Sequence, residues 1–167
     1  MGVLVRFPLR RKRESKHYQV ALAFAQGLAG DTAGAKVTAE QARNTFEQLY
    51  RDQPDSVYIA TSLSQAYAAM GEKDSALKEA ERAIMLRPSV KDRLEGPGFE
   101  ENLALIQTIF GENSRAISTL ARLLHTPYQS RLYEAAPITP ALLRLDPLWD
   151  PLRSDPAFQK LCEEKQP

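Results

Sequence analysis

Residues 56–88 read SVYIATSLSQAYAAMGEKDSALKEAERAIMLRP, and the spacing within this run decides the fold. It divides into two helical patterns, 57–70 and 74–86, separated by Gly71-Glu72-Lys73 and closed by Pro88. In the first, Ala60, Leu63, Ser64 and Tyr67 recur at the three and four spacing that gathers side chains on one helical face. In the second, Ala76, Leu77, Ala80, Ala83 and Ile84 do the same. Helices this short cannot each bury an apolar face alone, so the pair must close as an antiparallel hairpin. Ala76, Ala80 and Ala83 let the two backbones approach, and Tyr67 fills the angle between the helices.

The pattern recurs on both sides. Upstream, Gly30-Asp31 matches Gly71-Glu72 as a turn, and Ala35, Ala39 and Ala42 hold the places of Ala76, Ala80 and Ala83. The flanking helices are expected over 15–29, with Leu22, Ala23 and Gln26 facing the hairpin, and over 32–51, ended by Asp52-Gln53-Pro54. Gly30 and Gly71 stand 41 residues apart. Downstream, Gly111 follows Gly71 by 40 residues, with the surplus in 89–97, where Glu95-Gly96-Pro97-Gly98 reads as punctuation. Leu103, Ala104 and Phe110 are then answered by Ala116, Ile117, Leu120, Leu123 and Leu124 from a helix over 113–125, and Thr126-Pro127 closes the unit.

From Tyr128 the period is lost. The stretch ITPALLRLDPLWDPLRSDPAFQKL contains Pro140, Pro147, Pro151 and Pro156, preceded by Thr139, Asp146, Asp150 and Asp155. A capping side chain followed by Pro at the first helical position starts a helix, while Pro forbids a long continuous one before it. Three or four short helices are expected. Leu142, Leu143, Leu145, Leu148, Trp149, Leu152, Phe158 and Leu161 would cover the end of the third hairpin.

The central run resembles the tetratricopeptide (TPR) repeat of about 34 residues, carried by Leu63-x-x-x-Tyr67, Ala76, Ala83 and Pro88. The Trp of that family is Ala60 here, and the Gly after its Leu is Ser64, still small enough for close packing. The resemblance covers about 15–126 and implies an all-α solenoid of about three hairpin repeats in a right-handed superhelix, with the C-terminal helices as its cap. The ending LRLDPLWDPLRSDPAFQKL is similar to the C-terminus of bacterial multidomain proteins in which a Ser/Thr kinase, an adenylate-cyclase-like domain or a winged-helix regulator precedes a TPR array. The expected organisation is a basic flexible leader over 1–14, repeats over 15–127 and capping helices over 128–167.

Composition bounds the function. Arg6, Arg10, Arg11, Lys12, Arg13 and Lys16 against Glu14 give the first sixteen residues a net +5, which leaves −4 for the rest of a chain whose total is +1. A nucleic-acid or anionic-membrane surface could be met only through this leader, which lacks interleaved aromatics beyond Phe7. The longest apolar-rich run, 20–29, is too short to span a bilayer. The single cysteine, Cys162, forms no internal disulfide, compatible with a reducing cytoplasm. His17 and His125 lie on different units, so no metal-ligand spacing exists. The chain has no Gly-rich phosphate loop, His-Arg-Asp triplet or Asp-Phe-Gly. Neither a catalytic residue nor a cofactor is expected.

In TPR arrays the first helix of each hairpin lines a concave surface. Carried onto this chain, the resemblance picks out His17, Val20 and Phe24 on the first unit, Tyr58, Thr61 and Gln65 on the second, and Glu101, Leu105 and Thr108 on the third. Phe24 and Leu105 are equally suited to burial between repeats. None of the nine is Lys or Arg, which argues against a grip on a free carboxylate terminus. The expectation is a neutral, partly aromatic groove that takes an apolar or mixed segment, with Phe24 and Tyr58 as anchors and Thr61 and Gln65 as hydrogen-bonding groups. The partner expected is a protein or peptide, in the setting of a kinase- or cyclase-associated signalling complex, and self-association is a further expectation for exposed solenoid ends.

Overall fold

A computed structural model describes residues 11–132 and 136–164, with side chains from residue 18 onward. Those residues are helical or irregular, with no strand among them. Six helices form three consecutive hairpins: α1 (Arg11–Leu28) with α2 (Thr32–Asp52), α3 (Val57–Ala69) with α4 (Lys73–Leu86), and α5 (Gly96–Ile109) with α6 (Asn113–Leu123). Helix α1 starts at Arg11, so it takes in part of the stretch expected to be a leader; residues 1–10 lie outside the described residues.

The three turns share one cause. Gly30, Gly71 and Gly111 have φ of +85°, +80° and +75°, a region that glycine alone enters without strain. That conformation lets the helix before it finish its own carbonyls: Gly71 N–H donates to Ala68 O at 3.0 Å and Glu72 N–H to Tyr67 O at 2.9 Å, and both other turns repeat the arrangement. Along the seams Ala35, Ala39, Ala42, Ala76, Ala80 and Ala83 are buried, as small residues must be where backbones approach.

Packing between hairpins follows a second register. Helix α3 packs on α2 and α4, and α5 on α4 and α6, while α3 also meets α1 and α5, so the first helices of the hairpins make one layer. Leu63 sits against Val20, Ala42 and Phe46 of the preceding hairpin, and Leu103 packs against Ala76 and Ala80 in the same way. Leu22 holds the equivalent position in α1 but is 52% exposed. The expectation that it faces its own hairpin is therefore corrected. Its position serves the contact to a preceding helix, and among the described residues none precedes α1.

The third hairpin departs from its expected start. Gly96-Pro97-Gly98 is not a loop but the first turn of α5, with Pro near N1 where it lacks nothing a helix needs. Both glycines answer to crowding. A Cβ on Gly96 would lie 2.6 Å from Ser89 Cα, and one on Gly98 would lie 2.4 Å from Gln129 O.

Beyond α6 come α7 (Pro140–Leu145), a 3-10 helix (Pro147–Leu152) and α8 (Pro156–Glu163). Each starts on a side-chain cap: Thr139 Oγ1 accepts from Leu142 N–H at 3.1 Å, Asp146 Oδ1 from Leu148 N–H at 2.9 Å and Asp155 Oδ1 from Ala157 N–H at 2.8 Å. Ile138, Leu143, Trp149, Leu152 and Phe158 form one core with Leu105, Ile117, Leu120 and Leu123 of the third hairpin. Leu145 does not join it and is 72% exposed. Asp150-Pro151 starts no helix of its own, since Pro151 lies inside the 3-10 helix. Burial of Trp149 and its neighbours removes the end face of α5 and α6 from water, the dominant favourable term in such packing.

Candidate partner-binding groove

A groove of about 900 Å³ opens along the layer of first helices. Helix α1 supplies one wall through Tyr18, Ala21, Phe24, Ala25 and Leu28. Tyr58, Thr61, Gln65 and Leu105 lie beneath, and the segment after α6 raises the opposite wall with Gln129, Arg131, Leu132 and Leu148.

Of the nine residues chosen from the sequence, Val20, Phe24, Tyr58, Thr61, Gln65 and Leu105 line this groove. Val20 and Leu105 do so from within the core, at 3% and 1% exposure. Phe24 is half-buried and packs against two clusters at once. The side chain of His17 lies outside the described ones. Thr61 and Gln65 are less free than expected, because the Thr61 hydroxyl and one of the two Gln65 amide N–H groups are already committed. Thr61 Oγ1 donates to Val57 O at 2.8 Å, and Gln65 Nε2 donates to Asn102 Oδ1 at 2.8 Å. Asn102 in turn donates to Ser64 Oγ at 2.9 Å, so this polar strip joins α3 to α5.

Glu101 and Thr108 are not among the groove-lining residues. Thr108 is buried, and its hydroxyl donates to Ala104 O of its own helix at 2.8 Å. Glu101 has no exposed surface and accepts from Tyr128 Oη at 2.9 Å, Ser130 Oγ at 2.6 Å and Arg131 N–H at 3.0 Å. Burial pushes its carboxyl above the usual range, and the hydrogen bonds pull it back in part. Tyr128 Oη also accepts from Ile138 N–H at 3.2 Å. Glu101 thus ties residues 128–131 to α5, and that tie, with the close approach at Gly98, sets the position of the groove's far wall.

The far wall carries what the repeat spacing missed. Arg131 places its guanidinium carbon 5.4 Å from the Tyr58 ring centroid and 5.3 Å from that of Phe99. The groove lining therefore holds a cation beside the acids Glu95 and Asp146, all three outside the nine positions. Glu95 is 3.8 Å from Arg131, but it is also paired with Arg87 and accepts from Tyr58 Oη at 3.0 Å. No periodic signal announces Arg131, because it belongs to a segment outside the repeats. The one sequence hint is Gly98, whose missing side chain admits the Gln129 backbone.

Among the described residues, no group of three or more His, Cys, Asp or Glu is placed to hold a metal ion. None of their helices is long and apolar enough to cross a membrane. Comparison with family models, with curated proteins and with solved structures finds no match to the chain.

Proposed function

We propose that the chain is a TPR-type interaction module, an adaptor or regulatory domain that holds a peptide or partner surface in the groove between α1, α3, α5 and the segment after Pro127. The observation that carries this reading is the alignment of three first helices in one layer, produced by glycine-turned hairpins, with an apolar concave face left open along it. Such faces, with aromatic side chains at their walls, suit the apolar anchors of an amphipathic helix. The resemblance of the C-terminus supports a bacterial cytoplasmic signalling complex, linked to a kinase or cyclase, as the setting.

Ala21 and Ala25 are exposed and line the groove, so Ala21→Arg with Ala25→Arg obstructs it without entering the core. Wild-type protein should select internal apolar segments from a mixed peptide library over free acidic C-termini. The double variant should bind those segments at least about tenfold more weakly, a loss of about 1.4 kcal/mol, with an unchanged circular dichroism spectrum. Selection abolished by amidating the peptide C-terminus, or equal binding by the double variant, would overturn the reading.

A further inference from the structure

We infer that the partner segment is an amphipathic helix carrying an acidic side chain that meets Arg131, at the end of the groove where α3 and α5 begin. This rests on the groove being the partner site, and it names the chemistry of the occupant.

The helical form follows from the groove's hydrogen bonding. A buried extended segment would need partners for its backbone N–H and C=O groups. The Thr61 hydroxyl and one N–H of the Gln65 amide already donate to Val57 O and to Asn102. The α1 wall, formed by Val20, Ala21, Phe24, Ala25 and Leu28 beyond Tyr18, offers an extended backbone few polar partners. A helix satisfies its own backbone and asks only for apolar contact. The α1 wall offers that contact, with Ala21 and Ala25 one turn apart between Tyr18 and Leu28. From residue 18 to 28 that wall is about 15 Å long at about 1.5 Å per residue, the length of about three helical turns.

The acidic group follows from Arg131. Tyr58 is the second residue of α3 and Glu95 directly precedes α5, so a guanidinium in contact with both sits at the start of these helices, where the helix dipoles also favour an anion. Two aromatic rings hold it in place, and a fifth of its side chain is exposed. Its Nε is buried and without an acceptor among the described residues, so a partner carboxylate would meet only the exposed part of the guanidinium. Its nearest carboxylate, Glu95 at 3.8 Å, is beyond hydrogen-bonding distance and engaged by Arg87 and Tyr58. The other acid lining the groove, Asp146, caps Leu148 N–H. A planar guanidinium fixed by two rings, whose one ion pair among the described residues is the long, shared one to Glu95, matches a carboxylate.

The test uses end-blocked amphipathic helical peptides with Leu or Phe at i, i+3 and i+7, identical except for Glu, Gln or Lys scanned through the turn at either end. Binding is read by fluorescence anisotropy with the full chain, with Arg131→Gln and with Arg131→Lys. At one end of the peptide, Glu should bind about tenfold tighter than Gln, the size expected of a charge-assisted hydrogen bond. The preference should vanish in Arg131→Gln, return in part in Arg131→Lys and shrink in high salt. The readout is the ratio of Glu-peptide to Gln-peptide affinity within each protein, which a general weakening of the groove does not move. Equal affinity for Glu and Gln at every position, or an acid preference that survives Arg131→Gln, would overturn the inference while leaving the groove as the partner site. Failure of every peptide to bind would overturn both.

Discussion

Arg131 stacks on Tyr58, its guanidinium carbon 5.4 Å from the ring centroid, and so joins the segment after the third hairpin to the first turn of α3. Tyr58 also meets Phe99 edge to face, with centroids 6.3 Å apart and planes at 68°. One arginine and two rings thus bring the second hairpin, the third hairpin and the C-terminal segment to one point. Contacts of this kind contribute about 0.5–2 kcal/mol, so they orient the groove wall and leave most of its support to Glu101 and the core beneath.

Glu101 should prove to be a structural residue. Glu101→Ala leaves the Tyr128 and Ser130 hydroxyls and the Arg131 N–H facing a cavity, and should lower stability by about 2–4 kcal/mol in denaturant unfolding. Glu101→Gln keeps an acceptor and should lose about 1–2 kcal/mol. Equal stability of Glu101→Ala and wild type would show that the 128–131 segment is held by other contacts.

The inter-hairpin register makes two leucines unequal. Leu63→Ala empties a position between α2 and α3 and should cost about 2–5 kcal/mol. Leu22→Ala, at the equivalent place on the open face, should stay within about 0.5 kcal/mol. Comparable losses from the two substitutions would mean that Leu22 is covered in solution.

The C-terminal helices should be indispensable to the third hairpin. Trp149→Ala should cost about 3–5 kcal/mol, and a chain ending at Pro127 should aggregate, because Ile117, Leu120 and Leu123 would face water. A soluble 1–127 fragment that melts at the temperature of the full chain would contradict this.

Alkaline pH should act through Tyr67, whose hydroxyl donates to Glu47 at 2.8 Å. Burial, aided by the Glu47 carboxylate, pushes its pKa from 10.0 up to about 12. A raised folded-state pKa means that this residue's contribution is fully present below pH 10.0 and is lost as pH rises from there through about 12. Melting curves between those limits should fall for wild type and fall less for Tyr67→Phe. Parallel slopes for the two proteins would remove Tyr67 as the cause.

The hairpins could be read directly from residue order. A glycine in the left-handed region, a run of alanines four apart and a Thr or Asp before Pro each act within a few residues of themselves, so Gly30, Gly71 and Gly111, the Ala76 and Ala80 seam and the caps at Thr139, Asp146 and Asp155 stand where their local chemistry puts them. The start of α5 was misread for the same reason. Gly96 and Gly98 look like turn residues locally, yet they serve close approach to Ser89 and Gln129 from outside the helix.

The groove divides along the same line. Its near wall and floor repeat with the hairpins, so Phe24, Tyr58 and Gln65 could be picked out by carrying the TPR resemblance from repeat to repeat. Its far wall depends on where residues 128–132 dock, which Glu101 decides by holding Tyr128, Ser130 and the Arg131 backbone. A buried carboxylate and an exposed one are the same letter in a sequence. Tertiary structure alone made Glu101 an internal anchor and set Arg131 in the groove, because burial and hydrogen-bond partners are properties of the assembled core, not of the spacing between residues.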